Sequence, residues 1–97
     1  MAKNAEKDRP MKEIKIYTAN YCGYCARAKA LLRSKGLAFE EIDVTEDGQM
    51  RERLVEMSSG RRTVPQIFIG GTAIGGYADL ARLNNEGKLD AILNESA

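Results

Sequence analysis

A chain of 97 residues with 43% apolar side chains can fill the core of one domain and not of two. Fifteen basic residues nearly cancel fourteen acidic ones, for a net charge of +1. The signs are interspersed along the chain, which argues against a nucleic-acid footprint, and no apolar run approaches the ~20 residues of a membrane span, so neither partner is expected.

In chain order, Met1 to Lys12 mixes Lys3, Lys7 and Arg9 with Glu6 and Asp8 and has no apolar stretch. It reads neither as a secretory signal nor as a mitochondrial transit peptide. Residues 1–12 are therefore expected to be a frayed extension, with Met11 as an alternative start, preceding a domain over 13–97. A cytoplasmic location is expected.

Glu13 to Thr18 alternates polar and apolar side chains at period two, the pattern of a strand. After a loop over Ala19 to Gly23, the segment Tyr24 to Lys35 is rich in helix formers and ends before Gly36, a good left-handed stop. Cys25, Ala28 and Leu32 share one stripe of that helix. Leu37 to Val44 reads as a second strand, and a strand–helix–strand unit predicts parallel pairing with a right-handed crossover.

Asp47 is placed to cap a second helix in which Met50, Leu54 and Met57 recur at helical spacing, before the turn Ser58-Ser59-Gly60. Thr63 to Ile69 and Thr72 to Ile74 flank Gly70-Gly71, the signature of a tight hairpin. A third helix is expected from Tyr77 to Glu86 with Leu80 and Leu83 inward, and Leu89, Ile92 and Leu93 suffice for a short terminal one. This order, βαβ-α-ββ-α, predicts an α/β domain with a four-stranded mixed sheet flanked by helices.

The chemistry is concentrated at Cys22-Gly23-Tyr24-Cys25, set between the first strand and the first helix. Cys22 precedes the first turn, where unpaired N–H groups and the helix dipole favour an anion, so its thiolate is expected to form readily. Cys25, one turn on and facing the core stripe, is expected to be buried and less acidic, and a spacing of three across a helix start allows the pair to close as a disulfide. A structural zinc wants four ligands, and two cysteines with no histidine argue against one in a single chain. Two inert buried thiols would also be possible, yet only Cys25 lies on the core stripe.

Together with Ser59 to Ile69 and Ile74 to Leu80, this motif resembles the glutaredoxin family from Ile14 to about Leu93. The resemblance implies the thioredoxin fold and a glutathione-dependent thiol–disulfide oxidoreductase acting on glutathionylated and disulfide-containing proteins. It implies Cys22 as nucleophile, Cys25 as resolving thiol, and glutathione as co-substrate. In the implied groove Thr63, Val64 and Pro65 form the family's cis-proline loop, although Pro65 alone would read as a proline starting a strand. Gly76, Tyr77, Ala78 and Asp79 would hold the γ-glutamyl end. Asp79 can accept from an ammonium or stabilise the helix start. Tyr24 and Tyr77 would flank the groove, or simply pack.

Three departures from the family pattern bear on the site. Gly23 replaces the common motif proline, and some members with that change hold a [2Fe–2S] cluster between two subunits through the first cysteine and glutathione, here Cys22. A monomer is expected, or a dimer if a cluster is bound. Ala19 stands where many members have lysine, which leaves Arg27, Arg61 and Arg62 as candidates to meet a ligand carboxylate, or as solvated charges. Tyr77 and Ala78 replace residues that are often Cys or Ser and Asp. A thioredoxin-like reductant served by a flavoenzyme is the remaining alternative, opposed by the absence of any tryptophan.

Overall fold

Alternation along the first strand sorts its side chains onto two faces of a sheet. In a computed structural model, which describes residues 12–94, β1 covers Ile14–Thr18 and sends Ile14 and Ile16 to one face and Tyr17 to the other. The remaining elements are α1 (Gly23–Ser34), β2 (Glu40–Asp43), α2 (Gly48–Met57), β3 (Gln66–Ile69), β4 (Thr72–Gly75), α3 (Tyr77–Asn85) and α4 (Lys88–Asn94). The strands lie in the order β2-β1-β3-β4. β1 and β2 are parallel, as a helical crossover requires, while β3 is antiparallel to both β1 and β4.

Helices cover both faces. On one, Ala28 and Leu32 of α1, Leu80 of α3, and Leu89 and Leu93 of α4 pack with Ile14, Ile16, Ile67 and Ile69. On the other, Leu54 of α2 packs with Tyr17, Val44 and Phe68, the two rings meeting edge to face with centroids 5.5 Å apart. The expected α/β architecture and four-stranded mixed sheet are present.

Element ends differ from the periodicity in ways that have local causes. The second strand begins at Glu40 rather than Leu37, because the end of α1 uses the intervening residues. Gly36 N–H bonds to Arg33 O and Leu37 N–H to Leu32 O, with Gly36 at φ +71°. This is a Schellman cap, and Leu37 folds onto the Leu32 cluster as such caps favour. The third strand begins at Gln66 rather than Thr63, since Pro65 has no N–H to give a ladder. Met57, at helical spacing from Met50 and Leu54, is 40% exposed. As the last residue of α2 it borders a groove of about 570 Å³ shared with Tyr17 and Phe68.

Asp47 caps α2 as anticipated, its carboxylate accepting from Met50 N at 3.0 Å. Of the expected extension 1–12, all but Lys12 lies outside the described residues. Lys12 N–H donates to Leu93 O at 3.0 Å, tying the entry of β1 to α4. Among the described residues no helix is long and apolar enough to cross a membrane.

Leu32 joins α1 to the sheet, to α4 and to its own cap, and it is fully buried. Leu32→Ala is expected to lower the unfolding free energy by about 2–5 kcal/mol, read as a reduced urea midpoint at unchanged slope. A loss too small to move the midpoint would place Leu32 outside the core.

Candidate active site

The two cysteines meet at the point where β1 delivers the chain to α1. Cys22 occupies the cap position of α1 in extended conformation (φ −98°, ψ 111°), and its sulfur accepts the Cys25 N–H at 3.1 Å. A serine or aspartate oxygen commonly serves in this place, so the sulfur takes over the capping role at a helix end that favours negative charge. The Cys22 thiol also points at Val64 O, 3.4 Å away, and its own N–H is held by Ala19 O at 3.1 Å. Both thiols are free, Cys22 half-buried and Cys25 buried.

Cys25 is 2% exposed, on the stripe with Ala28 and Leu32. Burial first, then its hydrogen bond with Cys22, pushes its pKa from 9.0 up to about 12. The pair is therefore unequal in access, and Cys25 is held as a protonated thiol at neutral pH.

Beside Val64 opens a groove of about 370 Å³, within the ~300–1,000 Å³ typical of small-molecule sites. It gathers all eight residues that the sequence reading assigned to a ligand: Tyr24, Thr63, Val64, Pro65, Gly76, Tyr77, Ala78 and Asp79. The Val64–Pro65 peptide bond is cis. Tyr24 and Tyr77 stack with ring centroids 6.2 Å apart, and Tyr24, 59% exposed, carries the Arg27 guanidinium 5.4 Å from its centroid. Tyr24 therefore builds only the wall, while Tyr77, half-buried, lines the groove and also packs against the core.

Asp79 does more than one thing. Its Oδ2 accepts from Gly76 N at 3.0 Å and from Arg61 Nη1 at 3.1 Å, and its Oδ1 meets Arg82 Nη2 at 3.4 Å. The Gly76 hydrogen bond is the main reason its carboxyl titrates below the usual aspartate range, helped by Arg61 and Arg82 against partial burial. A Cβ on Gly75, which sits at φ +120°, would collide with the Asp79 carboxylate and the Arg61 guanidinium. Glycine there makes room for the ion pair.

Of the three arginines considered from sequence, only Arg61 lines the groove. Arg27 is engaged by Tyr24, and Arg62 reaches Glu52 at 3.4 Å with both side chains well exposed. Ala19 is buried, so its position contributes a backbone carbonyl and no side chain to the site. Sequence reasoning could not separate Arg61 from Arg62, because adjacent residues in an irregular segment have no period to sort them.

The inequality of the thiols has a direct readout. Iodoacetamide at pH 8 under native conditions is expected to alkylate Cys22 and leave Cys25 unmodified, giving one adduct by peptide mass mapping. Equal labelling of both would contradict the burial of Cys25.

Comparison with known proteins agrees with this geometry. The family model described as Glutaredoxin matches residues 14–74. Glutaredoxin 3 of Escherichia coli strain K12 is 48% identical over 83 residues, covering 86% of this chain and 99% of that protein. A glutaredoxin of Neisseria meningitidis serogroup B is 46% identical over 86 residues, covering 87% and 99%. The solution structure of a Brucella melitensis glutaredoxin superposes with a TM-score of 0.78 at 50% identity, covering 88% of this chain and 91% of that one. The crystal structure of a buckwheat glutaredoxin–glutathione complex gives 0.78 at 30% identity, covering 94% and 84%. With Cys22 and Cys25 paired at the start of α1 and this kinship across most of its length, the chain belongs to the glutaredoxin family, thiol–disulfide oxidoreductases of the thioredoxin fold.

Proposed function

We propose that this chain uses glutathione to reduce protein–glutathione mixed disulfides and protein disulfides, with Cys22 as nucleophile and Cys25 as resolving thiol. One observation carries the reading: the Cys22 sulfur lies 3.4 Å from the carbonyl oxygen of Val64, a residue lining the groove. A peptide-like thiol laid along that groove brings its sulfur to Cys22. The buckwheat relative, named as a complex with glutathione, supports the choice of ligand by kinship.

The extended backbone of Val64 pairs with the cysteinyl part of glutathione, flanked by Thr63 and Pro65. Tyr24 and Tyr77 wall one side. At the γ-glutamyl end, the first-turn N–H groups of Tyr77 and Ala78 receive the carboxylate, and Gly76 lets the backbone come close, a Cβ there standing 3.4 Å from Pro65 O. Asp79 anchors Arg61 beside that end while meeting the ligand's ammonium.

Cys22 thiolate attacks the glutathione sulfur of the mixed disulfide. A new Cys22–glutathione bond forms, the old S–S bond breaks, and the protein leaves as thiolate. A second glutathione thiolate then attacks the glutathione sulfur on Cys22, forming glutathione disulfide and restoring the Cys22 thiolate. With an intramolecular protein disulfide, Cys22 thiolate attacks one substrate sulfur, the S–S bond breaks, and the other substrate sulfur leaves as thiolate. Cys25 then gives its proton to that thiolate and attacks the Cys22 sulfur, the mixed disulfide breaks and the reduced protein leaves, and two glutathiones reduce the Cys22–Cys25 disulfide and depart as glutathione disulfide.

The unit over 13–97 holds every residue of this scheme, so the reading is of a monomer, acting in the cytosol where thiols are kept reduced. A [2Fe–2S] cluster needs four sulfurs. One half-buried capping sulfur and one buried thiol per chain do not fit that set without a second copy and two glutathiones, and no step here runs through a metal.

Turnover of a glutathionylated peptide, coupled to glutathione and glutathione reductase, tests the scheme. Cys22→Ser is expected to fall to the uncatalysed rate. Cys25→Ser is expected to keep deglutathionylation and to lose reduction of intramolecular protein disulfides. Full activity in Cys22→Ser, or turnover sustained by thioredoxin reductase without glutathione, would overturn it.

A further inference from the structure

Gln66 opens β3, and its side chain is 1% exposed in a strand whose other members are Ile67, Phe68 and Ile69. Burying an amide costs free energy unless its polar atoms are partnered, and here only one of them is. Gln66 Nε2 donates to Thr63 O at 2.9 Å and reaches Thr63 Oγ1 at 3.3 Å. Gln66 Oε1 is buried with no hydrogen-bond partner among the described residues. An apolar side chain of the same length would fill this space without stranding an acceptor.

What the amide does, and an apolar group cannot, is tie Thr63 back onto the start of β3. Val64 and Pro65 lie between the two ends of that tie. The Val64 carbonyl faces the Cys22 thiol at 3.4 Å, and Thr63, Val64 and Pro65 all line the groove. Gln66 does not line it, and the hydrogen bonds of its side chain run to Thr63, which does.

We propose that Gln66 is a positioning residue: its amide holds the loop over residues 63–65 in the shape that presents Val64 to glutathione beside Cys22, and thereby sets the preference for glutathione mixed disulfides over those of other small thiols. This rests on the glutathione reading above and assigns the selectivity of that same site. Gln66 touches neither the ligand nor the reacting sulfurs.

The test uses one peptide carrying either a glutathione or a 2-mercaptoethanol mixed disulfide, and compares second-order rate constants for release of the peptide thiol. Cys22 attacks both substrates, so any change in its reactivity cancels in the ratio. The wild-type chain is expected to favour the glutathione form. Gln66→Met, of similar volume and without a donor, is expected to lower that preference about fivefold, the scale of one hydrogen bond, with a thermal midpoint no lower than wild type. An unchanged preference in Gln66→Met overturns the proposal. A wild type without preference overturns the glutathione reading itself. Should Gln66→Met not fold, Gln66→Leu also removes the donor without burying a charge; the same fall is expected, and an unchanged preference is again the contrary result.

Discussion

The hydrogen bond from Cys25 N–H to the Cys22 sulfur, 3.1 Å long, is the contact on which the site depends. It makes Cys22 the cap of α1, and so fixes the sulfur at the positive end of the helix dipole while its partner, three residues on, is turned into the core. Two identical side chains thereby acquire opposite properties. Cys22 remains within reach of an incoming disulfide. Cys25 is buried with Ala28 and Leu32, its pKa driven up to about 12.

The groove exists because the sheet order brings distant segments together. β3 runs antiparallel to β1, which sets the loop before it against the start of α1, and the hairpin to β4 returns the chain so that α3 begins beside the same loop. Its wall is tuned by side chains that engage one another: Tyr24 with Tyr77, Arg27 with Tyr24, Arg61 with Asp79. The last pair fits only because Gly75 has no side chain. Asp79, read from sequence as a ligand residue or a helix stabiliser, is engaged as both cap and anchor.

Much of this was legible in the sequence where a period or a cap carries the information. The alternation of Ile14 and Ile16 with Lys15 and Tyr17, the stripe through Cys25, Ala28 and Leu32, and Asp47 before α2 each translate directly into an observed contact. Element ends were less legible, since the Schellman cap at Gly36-Leu37 and the missing N–H of Pro65 shorten strands that hydrophobicity alone would extend. Met57 kept the helical spacing yet ended the helix beside a groove. The eight groove residues came from motif resemblance rather than from periodicity. Arg61 was one of three candidate arginines that the sequence could not rank, and Gln66 escaped altogether, because what distinguishes each is a tertiary contact, with Asp79 in one case and with Thr63 in the other.

The central claim is that Cys22 takes glutathione from a mixed disulfide, and the most direct measurement is the mass of the chain after one turnover. Cys25→Ser, mixed with a glutathionylated peptide and no free glutathione, is predicted to carry one glutathione on Cys22 while an equal amount of peptide thiol is released. A peptide disulfide on Cys22 with free glutathione in solution, or no adduct at all, would contradict the account.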